Sequence, residues 1–309
     1  MQLQKTIKSA VEISGVGLHS GKTVTMKLFP GKPNSGIVFV RTDLMPVQRF
    51  RSDATLVSDT RLCTVLSKGP AKVATVEHIM SALAGLGVDN IEIHLNAPEV
   101  PIVDGSSAPF VYLIQSVGLE SQDAAKQFMV IKHEVEVREG DKWAKFMPFD
   151  RGFKVDFSVD FAHPAIRQRN NSASLILTSQ HYTQQIARAR TFGFLNDIEY
   201  LRQNNLALGG SLDNAIVLDE YRVLNEKGLR YEDEFVRHKI LDAVGDLYLQ
   251  GQAIVGHYIG YKSGHALNNR LFRALLADKT AYEIKTLDED TAPASDVEVS
   301  ADLQSSLLF

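Results

Sequence analysis

The chain has 309 residues, 44% of them apolar and 23% charged, with a formal charge of −4; this is the length of two ordinary domains and the composition of a soluble globular protein. No run of about 18 apolar residues occurs, which excludes a membrane-spanning helix, and no apolar secretory segment precedes the first patterned strands. One cysteine, Cys63, excludes an internal disulfide and an all-cysteine zinc site and suits a reducing cytoplasm.

In chain order, residues 2–66 read as short alternating segments, with strands at Thr23 to Phe29 and Ile37 to Arg41 bounded by Gly-Lys and Pro-Asn-Ser-Gly turn signals. TVEHIMSALAGL at 75–86 has helical apolar spacing with Thr75 as its expected N-cap, and Asp89-Asn90 is expected to end it. A strand at Ile91 to Leu95, a proline-containing loop and a helix from Ala108 to about Val117 follow. ESQDAAKQ at 120–127 is polar and reads as a linker. Further strands are predicted at 128–138, 143–148, 153–161 and 174–177, helices at 179–188, 196–204 and 233–250, and a strand at 253–261. Runs of strands set apart from runs of helices indicate an α+β protein. The predicted domains are 1–122 and 127–283. From residue 284 to 309 the chain reads as a mobile acidic tail. Residues 281–309 hold seven acids and one lysine. The remainder is therefore near neutral, with no nucleic-acid footprint.

A faint repeat relates the two halves: Val76, His78 and Gly85 align with Val236, His238 and Gly245, each set on a predicted helix. In VRHKILDAVGDLYLQG, His238 and Asp242 are spaced i, i+4 and so share a helix face about 6 Å apart. That suits two ligands of one metal; a solvated helix face is the other reading. Asp246 lies one turn further on. Glu77 and His78 are adjacent, so on a helix they project about 100° apart, and one can bind metal while the other faces a bound water. A histidine satisfied in the core or at the surface is the alternative. Together the two helices offer His, His and Asp plus a water, the pattern of an open catalytic site rather than a closed structural one. His265, in the glycine-containing segment YKSGHALNN, becomes a general acid if a carboxylate such as Asp246 holds it protonated; otherwise it is a loop histidine. His19, in SGVGLHSG, lies in a glycine-rich turn that lacks phosphate-loop spacing.

SGVGLHSG at 14–21, TVEHIMSALAGLGVDN at 75–90, VDGSSAPF at 103–110, RARTFGF at 188–194 and EFVRHKILDAVGDLYLQG with GYKSGHALNN resemble, in this order, the UDP-3-O-acyl-N-acetylglucosamine deacetylases of lipid A biosynthesis. The likeness runs from about residue 4 to about 285. It implies two domains of similar β-α-α-β topology with the active site at their interface. It also implies a cytoplasmic zinc amidase (iron(II) suits the same ligands) that releases acetate from an acylated UDP-amino sugar. The implied metal ligands are His78, His238 and Asp242, the general base Glu77, and the protonated histidine His265, oriented by Asp246. Thr191 matches the hydroxyl that contacts the oxyanion. Lys239 and Lys262 match phosphate contacts, and Asp160 and Phe161 the nucleoside end. An insert at about 190–218 is implied to line an apolar passage for the acyl chain.

The residues themselves leave that insert open to two readings. Phe192, Phe194, Ile198, Leu212, Ala215 and Val217 fit ordinary core packing or, with Leu18, the wall of a tunnel. Two other functions compete with the deacetylase: a non-catalytic binding module, for which a structural zinc would need a fourth protein ligand, and a zinc amidase for another acylated sugar. The acidic tail, ending in Leu307-Leu308-Phe309, reads as a handle for an ATP-dependent protease.

Overall fold

A computed structural model describes residues 1–288. The fold is α+β, with several sheets and the helices packed between and against them. In the N-terminal half a five-stranded sheet runs in the order Val11–Val16, Thr23–Pro30, Ile91–Leu95, Ile37–Arg41, Gln48–Arg51. Ile37–Arg41 and Ile91–Leu95 pair in parallel. Every residue of Ile37–Arg41 is buried, as expected for a strand covered on both faces. A small antiparallel sheet of Val57–Asp59, Val65–Lys68 and Ala71–Val73 then leads into helix α1 (Glu77–Leu86). Helix α2 (Ala108–Val117) follows the parallel pair.

The second half is built on the long strand Ala253–Tyr261, which pairs in parallel with Phe128–Ile131 and Phe153–Ser158 and antiparallel with Lys142–Met147. Helices α3 (Pro164–Arg167), α4 (Ser179–Gln185), α5 (Leu195–Gln203), α6 (Glu234–Leu247) and α7 (His265–Ala277) complete it. One buried apolar cluster runs through both halves. Inside it α1 and α6 pack against each other, with Ile79, Met80 and Leu83 on one and Ile240, Leu241 and Val244 on the other. Each such side chain, fully buried, contributes about 1.5–3 kcal/mol relative to exposure. The two helices approach closely because position 245 is glycine: a Cβ there would lie 2.0 Å from the Glu77 carbonyl oxygen.

Several local expectations change. Thr75 does not cap α1; Val76 holds the cap position without a side-chain bond, and Thr75 adopts a left-handed φ of 57°. The helix ends at Gly87, φ 71°, before Asp89-Asn90, because a left-handed glycine stops it first. The expected linker is strand: Leu119–Ala125 pairs with Leu3–Ile7, so polar composition there marks a sheet edge. The expected strand at 128–138 breaks into Phe128–Ile131 and Val135–Glu139. His265 opens α7 instead of lying in a loop. Residues 284 and 285 belong to Tyr282–Lys285, an edge strand paired with Phe128–Ile131, so the patterned chain extends past the expected tail boundary. The rest of that tail, 289–309, lies outside the described residues.

Candidate active site

The packing of α1 on α6 brings the first turn of one helix against the middle of the other. Glu77 and His78 open α1, and both are buried. His238, Asp242 and Asp246 lie on successive turns of α6, also buried. His78 Nε2 is 3.7 Å and His238 Nε2 3.3 Å from Asp242 Oδ1, and ligand atoms of the three residues lie within 4.8 Å of one another.

The chemistry of these donors fits a divalent cation. Asp242 Oδ1 is buried without a hydrogen-bond partner, and so is His78 Nδ1; a buried carboxylate oxygen left in that state is costly unless a cation or proton compensates it. His238 Nδ1–H donates to the Ala189 carbonyl at 3.0 Å, which leaves Nε2 as the lone-pair nitrogen facing Asp242. Burial lowers the His238 pKa to about 3 despite the attraction of Asp242, so the ring is neutral, as a ligand requires. Burial opposes ionisation of Asp242, but neighbouring His238 and the Lys239 ammonium hold its carboxyl well below the usual range. Lys239 Nζ donates to Asp242 Oδ2 at 2.6 Å.

Beside this group stand a carboxylate and an imidazole facing each other. Glu77 Oε1 is 3.8 Å from His265 Nε2, and Glu77 Oε2 accepts the Thr64 backbone N–H at 3.0 Å. His265 Nδ1–H donates to Asp246 Oδ2 at 2.9 Å. Asp246 has no spare lone pair on that side, because Asn268 Nδ2 also donates to Oδ2 at 2.9 Å. Burial raises the Glu77 pKa, with nearby His265 and His78 pulling it back. Burial also works against the His265 imidazolium, but the carboxylates of Asp246 and Glu77 outweigh it and raise the pKa to about 9. At neutral pH His265 is therefore protonated and can donate from Nε2, and it faces Glu77, whose basicity burial raises.

The remaining predicted residues surround this centre unevenly. Thr191 is half-buried; its N–H donates to the Gly105 carbonyl at 2.8 Å and its carbonyl accepts from Ile216 N–H at 2.8 Å, fixing it beside Phe192–Phe194. Phe192 meets Phe161 edge to face at 5.4 Å and lies 6.3 Å from the His238 ring. Phe161, Phe192 and Phe194 pack against a second apolar cluster of Ile166, Ile216, Leu218 and Phe235. Lys262 and Asp160 form an ion pair at 3.3 Å, with Asp141 also on the ammonium at 2.5 Å.

The insert is tied at its start and again at residues 208 and 209. The buried Arg190 guanidinium grips Glu234 at the start of α6. Residues 208 and 209 donate their N–H groups to the carbonyls of His19 and Leu18, placing Leu18 against this loop. Between these ties α5 buries no residue. Leu212 is 50% exposed, Ile198, Ala215 and Val217 are half-buried, and none of the four belongs to the buried core clusters.

Sequence reasoning passed over two residues here. His19 is buried, its backbone N–H donates to Glu99 Oε1 at 2.8 Å, and its Nε2 lacks a partner. Burial lowers its pKa against the pull of Glu99, with His265 and His78 adding to the effect. Its glycine-rich turn was weighed only as a phosphate loop. Glu99 also accepts from the Thr75 hydroxyl at 3.1 Å, which explains why Thr75 leaves the helix cap. Thr64, discussed below, lies in a segment with no motif at all.

An α+β chain that brings a His-His-Asp group, a buried carboxylate and a carboxylate-held histidine to one place defines a hydrolase-type centre with room for one divalent ion. Residues 4–277 match the family described as UDP-3-O-acyl N-acetylglycosamine deacetylase (LpxC). The UDP-3-O-acyl-N-acetylglucosamine deacetylase of Tolumonas auensis is 53% identical over 290 residues, 94% of either chain. That of Chromohalobacter salexigens is 55% identical over 291 residues, 94% of this chain and 96% of its own. The chain belongs to this deacetylase family.

Proposed function

We propose that this protein hydrolyses the N-acetyl group of UDP-3-O-(3-hydroxyacyl)-N-acetylglucosamine, releasing acetate in a committed step of lipid A biosynthesis. The observation that carries the reading is the opposition of Glu77 Oε1 and His265 Nε2 across 3.8 Å, next to the unpartnered Asp242 Oδ1. His78, His238 and Asp242 would hold the cofactor, zinc or iron(II). Such an ion supplies Lewis-acid polarisation of the amide carbonyl and makes water acidic near neutral pH.

Glu77 Oε1 takes a proton from the attacking water as its oxygen adds to the acetyl carbonyl. The Thr191 hydroxyl donates to the developing oxyanion. His265 gives its Nε2 proton to the amide nitrogen as the C–N bond breaks, leaving acetate and a free amine. Asp246 holds the ring through Nδ1. Lys239 and Lys262 meet the phosphates, and Asp160 with Phe161 the nucleoside. Leu18, Phe192, Phe194, Ile198, Leu212, Ala215 and Val217 line the acyl passage. The exposure of apolar residues on α5 and after it favours a passage over core packing.

The proposal includes domains 1–122 and 127–283, each supplying a sheet and a helix with one histidine, and a cytoplasmic location; among the described residues no helix is long and apolar enough to cross a membrane. Metal analysis of the purified protein, coupled to acetate release from the acylated UDP-sugar, tests the reading. Metal-loaded protein that releases no acetate from that substrate would refute it. The protease proposed as partner would engage residues outside those described.

A further inference from the structure

Thr64 touches the proton-transfer machinery twice. It lies directly before strand Val65–Lys68 and is 1% exposed. Its backbone N–H donates to Glu77 Oε2 at 3.0 Å, and its hydroxyl donates to Asp246 Oδ1 at 2.6 Å. The two carboxylates belong to different helices, α1 and α6, and to different halves of the chain.

Each bond leaves its carboxylate one oxygen for chemistry. With Oε2 held by the main chain, Glu77 turns Oε1 toward His265 Nε2. With Oδ1 held by the hydroxyl, Asp246 turns Oδ2 toward His265 Nδ1. Asn268 supports the same oxygen, and its own carbonyl accepts from the Tyr258 and Ser263 hydroxyls at 2.7 and 2.6 Å. The bonds to Asp246 from Thr64, His265 and Asn268 are all buried, and among them Thr64 is the partner from the N-terminal half. Taking away that hydroxyl leaves the buried Oδ1 without its protein donor, and the carboxylate gains by rotating to find another.

We propose that Thr64 is a positioning residue for proton transfer: one residue sets the orientation of the Glu77 base and of the Asp246 carboxylate that holds the His265 acid. The proposal rests on the deacetylase reading for its kinetics but not for its geometry. The serine variant keeps the hydroxyl, and the valine variant replaces it with a methyl of similar shape while leaving the main-chain bond to Glu77.

The test uses the metal-loaded, full-length protein. Thr64→Val is expected to lower kcat about 10–100-fold, the usual cost of removing a partner of a site residue, with KM within about twofold. Thr64→Ser should restore kcat to within about threefold of the parent. In an Asp246→Asn background, Thr64→Val should cost less than about twofold, because residues acting as one unit are not additive. A serine variant as slow as valine, an equal valine effect in both backgrounds, or an effect confined to KM would overturn the proposal.

A readout independent of substrate is the downfield proton resonance of His265 Nδ1–H bonded to a carboxylate. It should persist in Thr64→Ser and shift or disappear in Thr64→Val. An unmoved resonance in the valine variant refutes the positioning role, whether or not the protein deacetylates this sugar. If the valine variant does not fold, Thr64→Ala removes the same hydroxyl and is held to the same outcomes.

Discussion

The rings of His78 and His238 meet edge to face, 88° apart in plane with centroids 5.1 Å apart, although half the chain separates them in sequence. His78 lies in the first turn of α1 and His238 further along α6, each seven residues before a glycine, Gly85 and Gly245. α1 and α6 are pressed together so that each contributes one imidazole to a common point.

From that relationship, His78→Ala, His238→Ala and Asp242→Ala should each lose most bound metal and most activity. Metal content per chain, measured after gel filtration, checks this. Full occupancy in all three variants would remove the ligand assignment.

Glu77→Ala should keep its fold and its metal and slow by about 10²–10⁴-fold, the range for general acid–base catalysis. The backbone of Thr64 loses an acceptor in this variant, so a small drop in thermal midpoint is expected as well. A rate within tenfold of the parent would mean that another group takes the proton.

In the proposed mechanism His265 acts in its protonated form, and its pKa is raised to about 9. The acid is therefore present at neutral pH and lost as pH rises through about 9, so the rate should fall on the alkaline side with a limb near that value. His265→Ala should be slow and should lack the limb. A limb that survives the substitution assigns it to a different group.

Gly245→Ala sets two effects against each other. Alanine favours a helix interior by about 1 kcal/mol over glycine, but its Cβ would lie 2.0 Å from the Glu77 carbonyl oxygen. Overpacking costs about 1–3 kcal/mol, and here the obstructing atom is backbone, so the clash should win. Thermal unfolding should show a lower midpoint, with activity falling as α1 is pushed off α6. A midpoint at or above the parent's would show that the helices part without cost.

Deletion of residues 295–309 should leave kcat/KM within about twofold, since no proposed site residue lies there. Cellular half-life should lengthen if the tail is a protease handle. A pulse–chase showing unchanged turnover would reject the handle, and a loss of activity would show that the tail reaches the site.

Much of the centre was legible because its chemistry repeats at helical spacing. His238, Asp242 and Asp246 share a face of α6 at intervals of four, and the structure buries all three. Other parts were hidden for physical reasons. His265 looked like a loop residue because Gly264, with φ −148°, sits in front of α7, and glycine there reads as a breaker. The strand Leu119–Ala125 is polar because it lies at an edge, in a two-stranded pair with Leu3–Ile7, so no alternation of apolar residues announced it. Thr64 carried no signal, since its hydroxyl bonds a residue 182 positions away in sequence. Non-local pairing of that kind has no periodicity to detect.

The division of the metal pocket between α1 and α6 also governs when the protein can become active during synthesis. A growing chain presents Thr64, Glu77 and His78 early, with one imidazole of the three-ligand group. His238, Asp242, Asp246 and His265 emerge only near the end. A single histidine holds a divalent ion weakly, and tight binding needs the folded arrangement. On the ligand assignment proposed above, a chain that stops before α6 would hold metal weakly and lack the catalytic group, so ion capture would wait for residues 238–265.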